Sequence, residues 1–196
     1  MTMGKLVAYR QLQGAAGELS DAALVAACAT GDPAALAALF RRHSPALVRF
    51  LSRLVGVDSR DVDDLVQATF LAVSHASASF AGASSVKTWL FGIASNIAGK
   101  HVRSEVRRRS MRDNVAKLAV VEPIGPDSLA EHRQLLRRLE TALANLPHEL
   151  RVVFVLCVVE GVPGKEAAHV LGLREGTLWR RLHEARTELR QAVEGT

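Results

Sequence analysis

The sequence predicts an all-α protein: two small helical domains joined by a flexible linker, the C-terminal one a helix-turn-helix. Three observations predict it. Ala, Leu, Val and Arg are abundant while aromatic residues make up only 5% of the chain, a mix that favours helix over strand. Apolar residues recur at helical spacing through most of the 196 residues, and no credible strand pair or fixed-period repeat interrupts them. Residues 113–128 lose that period and hold Pro123, Gly125 and Pro126, as a linker would.

Residues 1–19 show no sustained period and contain Gly14 and Gly17, so they read as a loose tail. From residue 20 to 112 the pattern predicts one helical domain. Ser20 caps a first helix in which Leu24, Val25 and Cys28 share a face, ending near Gly31. Asp32 caps a second, with Pro33 at the first helical position, where its missing N–H costs nothing. Its stripe runs through Leu36, Leu39, Phe40 and His43. It restarts or kinks at Pro45, then continues through Leu47, Phe50, Leu51 and Leu54 to Gly56. The third helix is the clearest: Val62, Leu65, Val66, Thr69, Phe70 and Val73 follow a strict helical period. Its opposite side carries Asp61, Asp64, Gln67 and Leu71. A small-residue loop, 74–85, precedes a fourth helix with Val86, Trp89, Leu90, Ile93 and Ile97 inward.

Residues 129–193 form the second predicted domain. Leu135, Leu136, Leu139 and Leu143 mark one helix, and Leu150, Val153, Phe154, Cys157 and Val158 mark another, entered at Pro147 and stopped at Gly161. Two short helices follow, joined through Gly172. Ala168 lies four residues before that glycine and Leu178 six after it. In a helix-turn-helix the small residue allows a close crossing, the glycine takes the left-handed turn, and the later aliphatic packs the second helix back on the first. Leu178, Leu182, Ala185 and Leu189 would face inward, leaving Trp179, Arg180, His183, Glu184 and Arg186 for a major groove. The bland alternative for its arginines is a solvated face paired to Glu184 and Glu188.

Net charge is +5, and all of it falls within 100–112, where Lys100, Arg103, Arg107, Arg108, Arg109 and Arg112 face only Glu105. A basic stripe beside a neutral body fits a polyanion partner, and equally a solvated helix end. Cys28 and Cys157 are far apart on apolar stripes, which suits buried reduced thiols. The seven histidines lack ligand spacing and read mostly as surface or helix-end residues. With no metal set, no phosphate-binding glycine loop and no nucleophile beside a base, neither an enzyme nor a cofactor is expected. Neither a secretory signal nor a membrane span is apparent, so a cytoplasmic protein without membrane insertion is expected.

These segments together resemble a sigma factor of the extracytoplasmic function (ECF) type, the compact sigma-70 group holding only regions two and four of these initiation factors. Asp61-Val-Asp-Asp-Leu-Val-Gln-Ala-Thr-Phe-Leu is similar to region 2.2, and Thr88-Trp-Leu-Phe-Gly-Ile-Ala-Ser-Asn96 to region 2.3. Leu146-Pro-His-Glu-Leu-Arg-Val-Val-Phe resembles the opening of region four. Glu175-Gly-Thr-Leu with Arg181-Leu-His-Glu-Ala-Arg186 resembles its recognition helix. The resemblance implies that Asp61, Asp64, Gln67 and Leu71 dock on the clamp coiled coil of the largest subunit of core RNA polymerase. It further implies that Asn96 holds an unstacked base of the promoter −10 element while Lys100, Arg103, Arg107 and Arg108 follow its phosphates. Thr177, Trp179, Arg180, His183, Glu184 and Arg186 would meet the −35 duplex. An anti-sigma protein is the further implied partner, and the free chain is expected to be a monomer.

Three departures stand out. Ser74 occupies a position usually aromatic, Pro163-Gly164 replaces a polar-aromatic helix start, and Trp179 and Glu184 stand where basic residues are common. They imply an altered promoter preference and a short first helix in the helix-turn-helix. Two rival readings are an ordinary helix-turn-helix regulator that ignores polymerase, and a sigma mimic that only occupies an anti-sigma protein.

Overall fold

The computed structural model describes residues 19–56, 61–112 and 138–194, and every regular element among them is helical. The N-terminal domain comprises α1 (Asp21–Ala29), α2 (Pro33–Val55), α3 (Val62–Ala76), a 3₁₀ turn (Ser77–Ser79) and α4 (Val86–Arg112). The C-terminal domain comprises α5 (138–145), α6 (His148–Phe154) with a π-turn (Val155–Val159), α7 (Gly164–Val170) and α8 (Glu175–Glu194). The expected linker, 113–128, and Leu135 and Leu136 lie outside the described residues.

Local chemistry sets the helix starts. The Ser20 hydroxyl accepts from the Ala23 N–H, and the Asp32 carboxylate from those of Ala34 and Ala35, so orphan donors of α1 and α2 are satisfied at both expected caps. Pro45 does not end α2, which runs through it to Val55. His43, on the buried stripe of α2, is held 3.0 Å from Asp21, and Asp21 also pairs with Arg42. The buried set of α3 is the one its period predicts: Val62, Leu65, Val66, Thr69, Phe70 and Val73. The helix reaches further than expected, absorbing Ser74, His75 and Ala76 from the small-residue loop.

The α4 core differs from the expected stripe. Val86 and Leu90 are buried, but Trp89, Ile93 and Ile97 are only partly so, and Phe91, Ala94 and Ala98 are buried instead. The cause is tertiary: α4 packs on α2 and α3 along one side and meets α7 along another. Phe91 stacks on Phe50 of α2 with centroids 4.3 Å apart. Gly92 lies so close to Val170 of α7 that an added Cβ would stand 2.8 Å from the Val170 carbonyl oxygen. The two domains therefore share one apolar core, in which Leu54, Phe50 and Phe91 meet Val153, Leu156 and Ala167.

A second difference lies in α6. Its last turn widens to π geometry, with the Glu160 N–H donating to the Val155 carbonyl at 2.9 Å. The extra residue in that turn rotates the side chains beyond it about the helix axis. Val155 and Leu156 point inward, Cys157 is half-buried, and Val158, expected on the apolar stripe, is exposed. Leu139 is likewise exposed, and Ala142 and Leu146 take the inner positions around Leu143.

Candidate nucleic-acid interface

The acidic side of α3 is exposed. Asp64, Gln67 and Leu71 succeed one another at three and four residues, forming a single outward stripe, and Leu71 is 68% exposed. Asp61 does not join them. It precedes the helix, and its carboxylate lies 3.3 Å from the His101 ring of α4, an ion pair whenever that ring is protonated. Ser74 ends the stripe with its hydroxyl donating to the Leu71 carbonyl.

On α4, Asn96, Lys100, Arg103 and Arg107 recur at four, three and four residues and are all exposed. Three cations one helical turn apart suit the repeat of a phosphate backbone. Arg108 sits around the helix from them, paired 3.0 Å from Glu105. Asn96 and Arg103 also line a small cleft whose far wall belongs to the C-terminal domain: His148, Glu149, Val152 and Arg181.

His148 is the residue that sequence reasoning missed there. Its Nε2 lies 3.4 Å from the Ser95 carbonyl, and it packs on Gly99, where a Cβ would stand 3.1 Å away. Burial pushes its pKa below the ordinary 6.5; the Ser95 carbonyl opposes this, and the neighbouring guanidiniums of Arg151 and Arg103 reinforce it. Nothing in the spacing around residue 148 signals this, because the partner is 53 residues away.

The helix-turn-helix is formed by α7 and α8. Ala168 and Leu178 are buried, Gly172 takes a left-handed φ of 63°, and the Leu173 N–H donates to the Ala168 carbonyl at 2.9 Å, closing the turn. Leu178, Leu182, Ala185 and Leu189 are buried, as their period predicts. Thr177 is half-buried, while Trp179, Arg180, His183, Glu184 and Arg186 are exposed. Arg180 pairs with Glu184 at 3.5 Å, and Arg181 turns away to Glu149 of α6 at 2.5 Å. The Trp179 ring covers Gly164 at the start of α7, which has seven residues.

Among the described residues, no group of His, Cys, Asp and Glu could hold a metal ion, and no helix is long and apolar enough to cross a membrane. Cys28 and Cys157 are free, and burial raises both thiol pKa values.

The fold and these surfaces define a two-domain helical protein ending in a helix-turn-helix. Family models narrow this: the one described as Sigma-70 region 2 matches residues 39–108, and the one described as Sigma-70, region 4 matches residues 136–189. Over 88% of its length the chain is 33% identical to RNA polymerase sigma factor CnrH of Cupriavidus metallidurans, covering 93% of that protein. It is 34% identical to ECF RNA polymerase sigma factor SigM of Mycobacterium tuberculosis, covering 88% of this chain and 84% of that one. With ECF RNA polymerase sigma factor SigE of Mycolicibacterium smegmatis it shares 31% over 83% of its length, spanning 64% of that longer relative.

Solved structures agree. CnrH in complex with the cytosolic domain of CnrY superposes with a TM-score of 0.60 at 30% identity, covering 89% of this chain and 97% of that one. The sigma factor RpoE in complex with the anti-sigma factor NepR from Bartonella quintana superposes at 0.58 and 26%, covering 79% and 94%. The chain belongs to the sigma-70 family as an ECF sigma factor containing regions two and four. Members of this family are promoter-specific transcription initiation factors and not enzymes.

Proposed function

We propose that the chain binds core RNA polymerase and reads a promoter at two separated elements. The carrying observation is a division of labour on the surface: the apolar faces of α3, α4 and α8 are consumed by the core, whereas their polar faces stay open. Asp64, Gln67 and Leu71 of α3 would meet the basic clamp coiled coil, charge giving orientation and Leu71 apolar contact. Asp61, drawn toward His101, acts at the rim of that patch.

In the same reading α8 enters the −35 major groove. Trp179 offers its open ring edge to thymine methyl groups, and Glu184 accepts from a cytosine amine when Arg180 releases it. Thr177, Arg180, His183 and Arg186 supply the remaining polar contacts. On strand opening, Asn96 holds an unstacked −10 base with the donors and acceptor of its amide. Lys100, Arg103, Arg107 and Arg108 hold the strand. The protein works as a cytoplasmic monomer until it joins polymerase. An anti-sigma protein keeps it inactive, a role supported by the RpoE relative, which was solved bound to one.

Reconstituted transcription tests this. Purified chain added to sigma-free core polymerase and a promoter library should yield discrete start sites with shared sequences upstream. Random initiation, or none, overturns the reading.

A further inference from the structure

We infer that Trp179 and Gly164 together read one C5-methylated pyrimidine in the −35 duplex. Gly164 is the positioning residue that seats the indole, and the seated indole answers to the 5-methyl group, carried by thymine or by 5-methylcytosine alike. The inference rests on the proposed entry of α8 into the −35 major groove. It adds the chemical group taken there and the residue of α7 that holds the reader in place.

The seat joins the two helices of the helix-turn-helix. The six-membered edge of the Trp179 indole lies against the Cα of Gly164, so closely that a Cβ built there would run into Cζ2 and stand 3.2 Å from Cε2. Glycine is the residue that leaves the ring where it lies. The chain just before the seat has little freedom. Pro163 holds φ at −56°, and its carbonyl accepts from the Ala167 N–H at 2.9 Å to start α7. A side chain packed in this way has given up rotamer freedom on folding, so less remains to be lost when it meets DNA.

The rest of the ring is open, and Trp179 is the one large apolar side chain of α8 exposed among the described residues. Leu178, Leu182 and Leu189 are all buried. Trp179, His183 and Arg186 follow one another at four and three residues as an outward stripe. On the neighbouring row Arg180 and Glu184 pair at 3.5 Å. An indole set in so polar a face calls for an apolar partner. Base edges in the major groove present one such group, the C5-methyl of thymine. Cytosine carries a hydrogen at the same carbon, so methylation there creates the same partner without altering the donor and acceptor pattern of that edge.

The test uses the full chain with core polymerase and duplex fragments bearing the −35 element that supports initiation. Each −35 thymine is replaced in turn by deoxyuridine, which lacks the methyl and nothing else. At one position binding should weaken about three- to fivefold, the worth of one buried methyl. A fragment with cytosine at that position should bind more tightly by a similar factor once the cytosine is 5-methylated. In Trp179→Ala both effects should vanish. In Gly164→Ala, which keeps the indole but displaces it, both should shrink toward one while the deoxyuridine fragment is still bound as by the wild type. Loss of fold alone would not single out the methyl. Nuclear Overhauser contacts between the Trp179 ring protons and the Gly164 Hα test the seat in the unaltered chain, should Gly164→Ala fail to fold.

A methyl effect that persists in Trp179→Ala would overturn the reader. One left unchanged in folded Gly164→Ala, or absent ring-to-Hα contacts, would overturn Gly164 as its positioning residue. Base changes that matter while every deoxyuridine is silent would overturn this inference alone. Indifference to every −35 base change would overturn the groove reading beneath it as well.

Discussion

The indole of Trp179 lies over the bare Cα of Gly164, so two residues that the resemblance marks as departures from the family pattern meet in the structure. An added Cβ at 164 would stand 2.8 Å from Cη2 of the ring, nearer than real side-chain atoms approach. Gly164 leaves room for the large ring that α8 carries at position 179. Trp179 is nonetheless 52% exposed, on the proposed reading face.

Gly164→Ala should therefore destabilise the protein by about 1–3 kcal/mol, the usual cost of overpacking. Gly164→Ala combined with Trp179→Ala should recover most of that loss, since the colliding ring is gone. Urea unfolding of the two singles and the double gives the coupling directly. Additive effects would show that the ring moves aside freely.

Asp64→Arg should weaken core-polymerase binding roughly three- to tenfold while leaving the unfolding midpoint within experimental scatter, because Asp64 is exposed on α3. Fluorescence anisotropy against core enzyme measures the first and thermal melting the second. Asp61→Arg should behave differently, costing some stability as well, because it places a cation beside His101.

Asn96→Ala should lower open-complex formation about tenfold, the loss of one good base contact, with core affinity retained. Permanganate footprinting of the −10 region reads the melting. Undiminished melting would remove Asn96 from the strand-holding face.

His148 makes stability pH-dependent with a definite sign. Its pKa in the folded protein lies below the ordinary 6.5, so the unfolded chain takes up a proton that the folded chain resists. The contribution is full above pH 6.5 and is lost as pH falls from there toward the lowered value. Melting temperatures from pH 8 to 5 should drop more steeply for the wild type than for His148→Gln, and identical slopes would refute the assignment. The comparison isolates His148 from His43 and His101, which also face carboxylates.

How legible each part was depends on how far away its partners are. The α3 stripe, the caps Ser20 and Asp32 and the turn at Gly172 were all readable, since each rests on residues within one or two turns. The stripe of exposed cations on α4 was readable for the same reason. Phe91, Ala94 and Ala98 were not, because a helix covered from two sides has no single apolar face for periodicity to report. The direction of Asp61 and the burial of His148 were equally hidden, being set by His101 and Ser95 on another helix.

The amino-acid order by itself determined where helices start, which side of each seeks the core, where positive charge collects, and which family the chain belongs to. Only the tertiary structure decided that the two domains share a core, that Glu160 pairs with Arg53 and Lys87 across them, and that Asn96 stands beside a cleft lined by His148. The physical reason is range: capping, helical period and turn chirality act over a few residues. Burial and ion pairing between domains depend on surfaces brought together from about a hundred residues apart, such as Arg53 and Glu160, 107 positions distant in the chain.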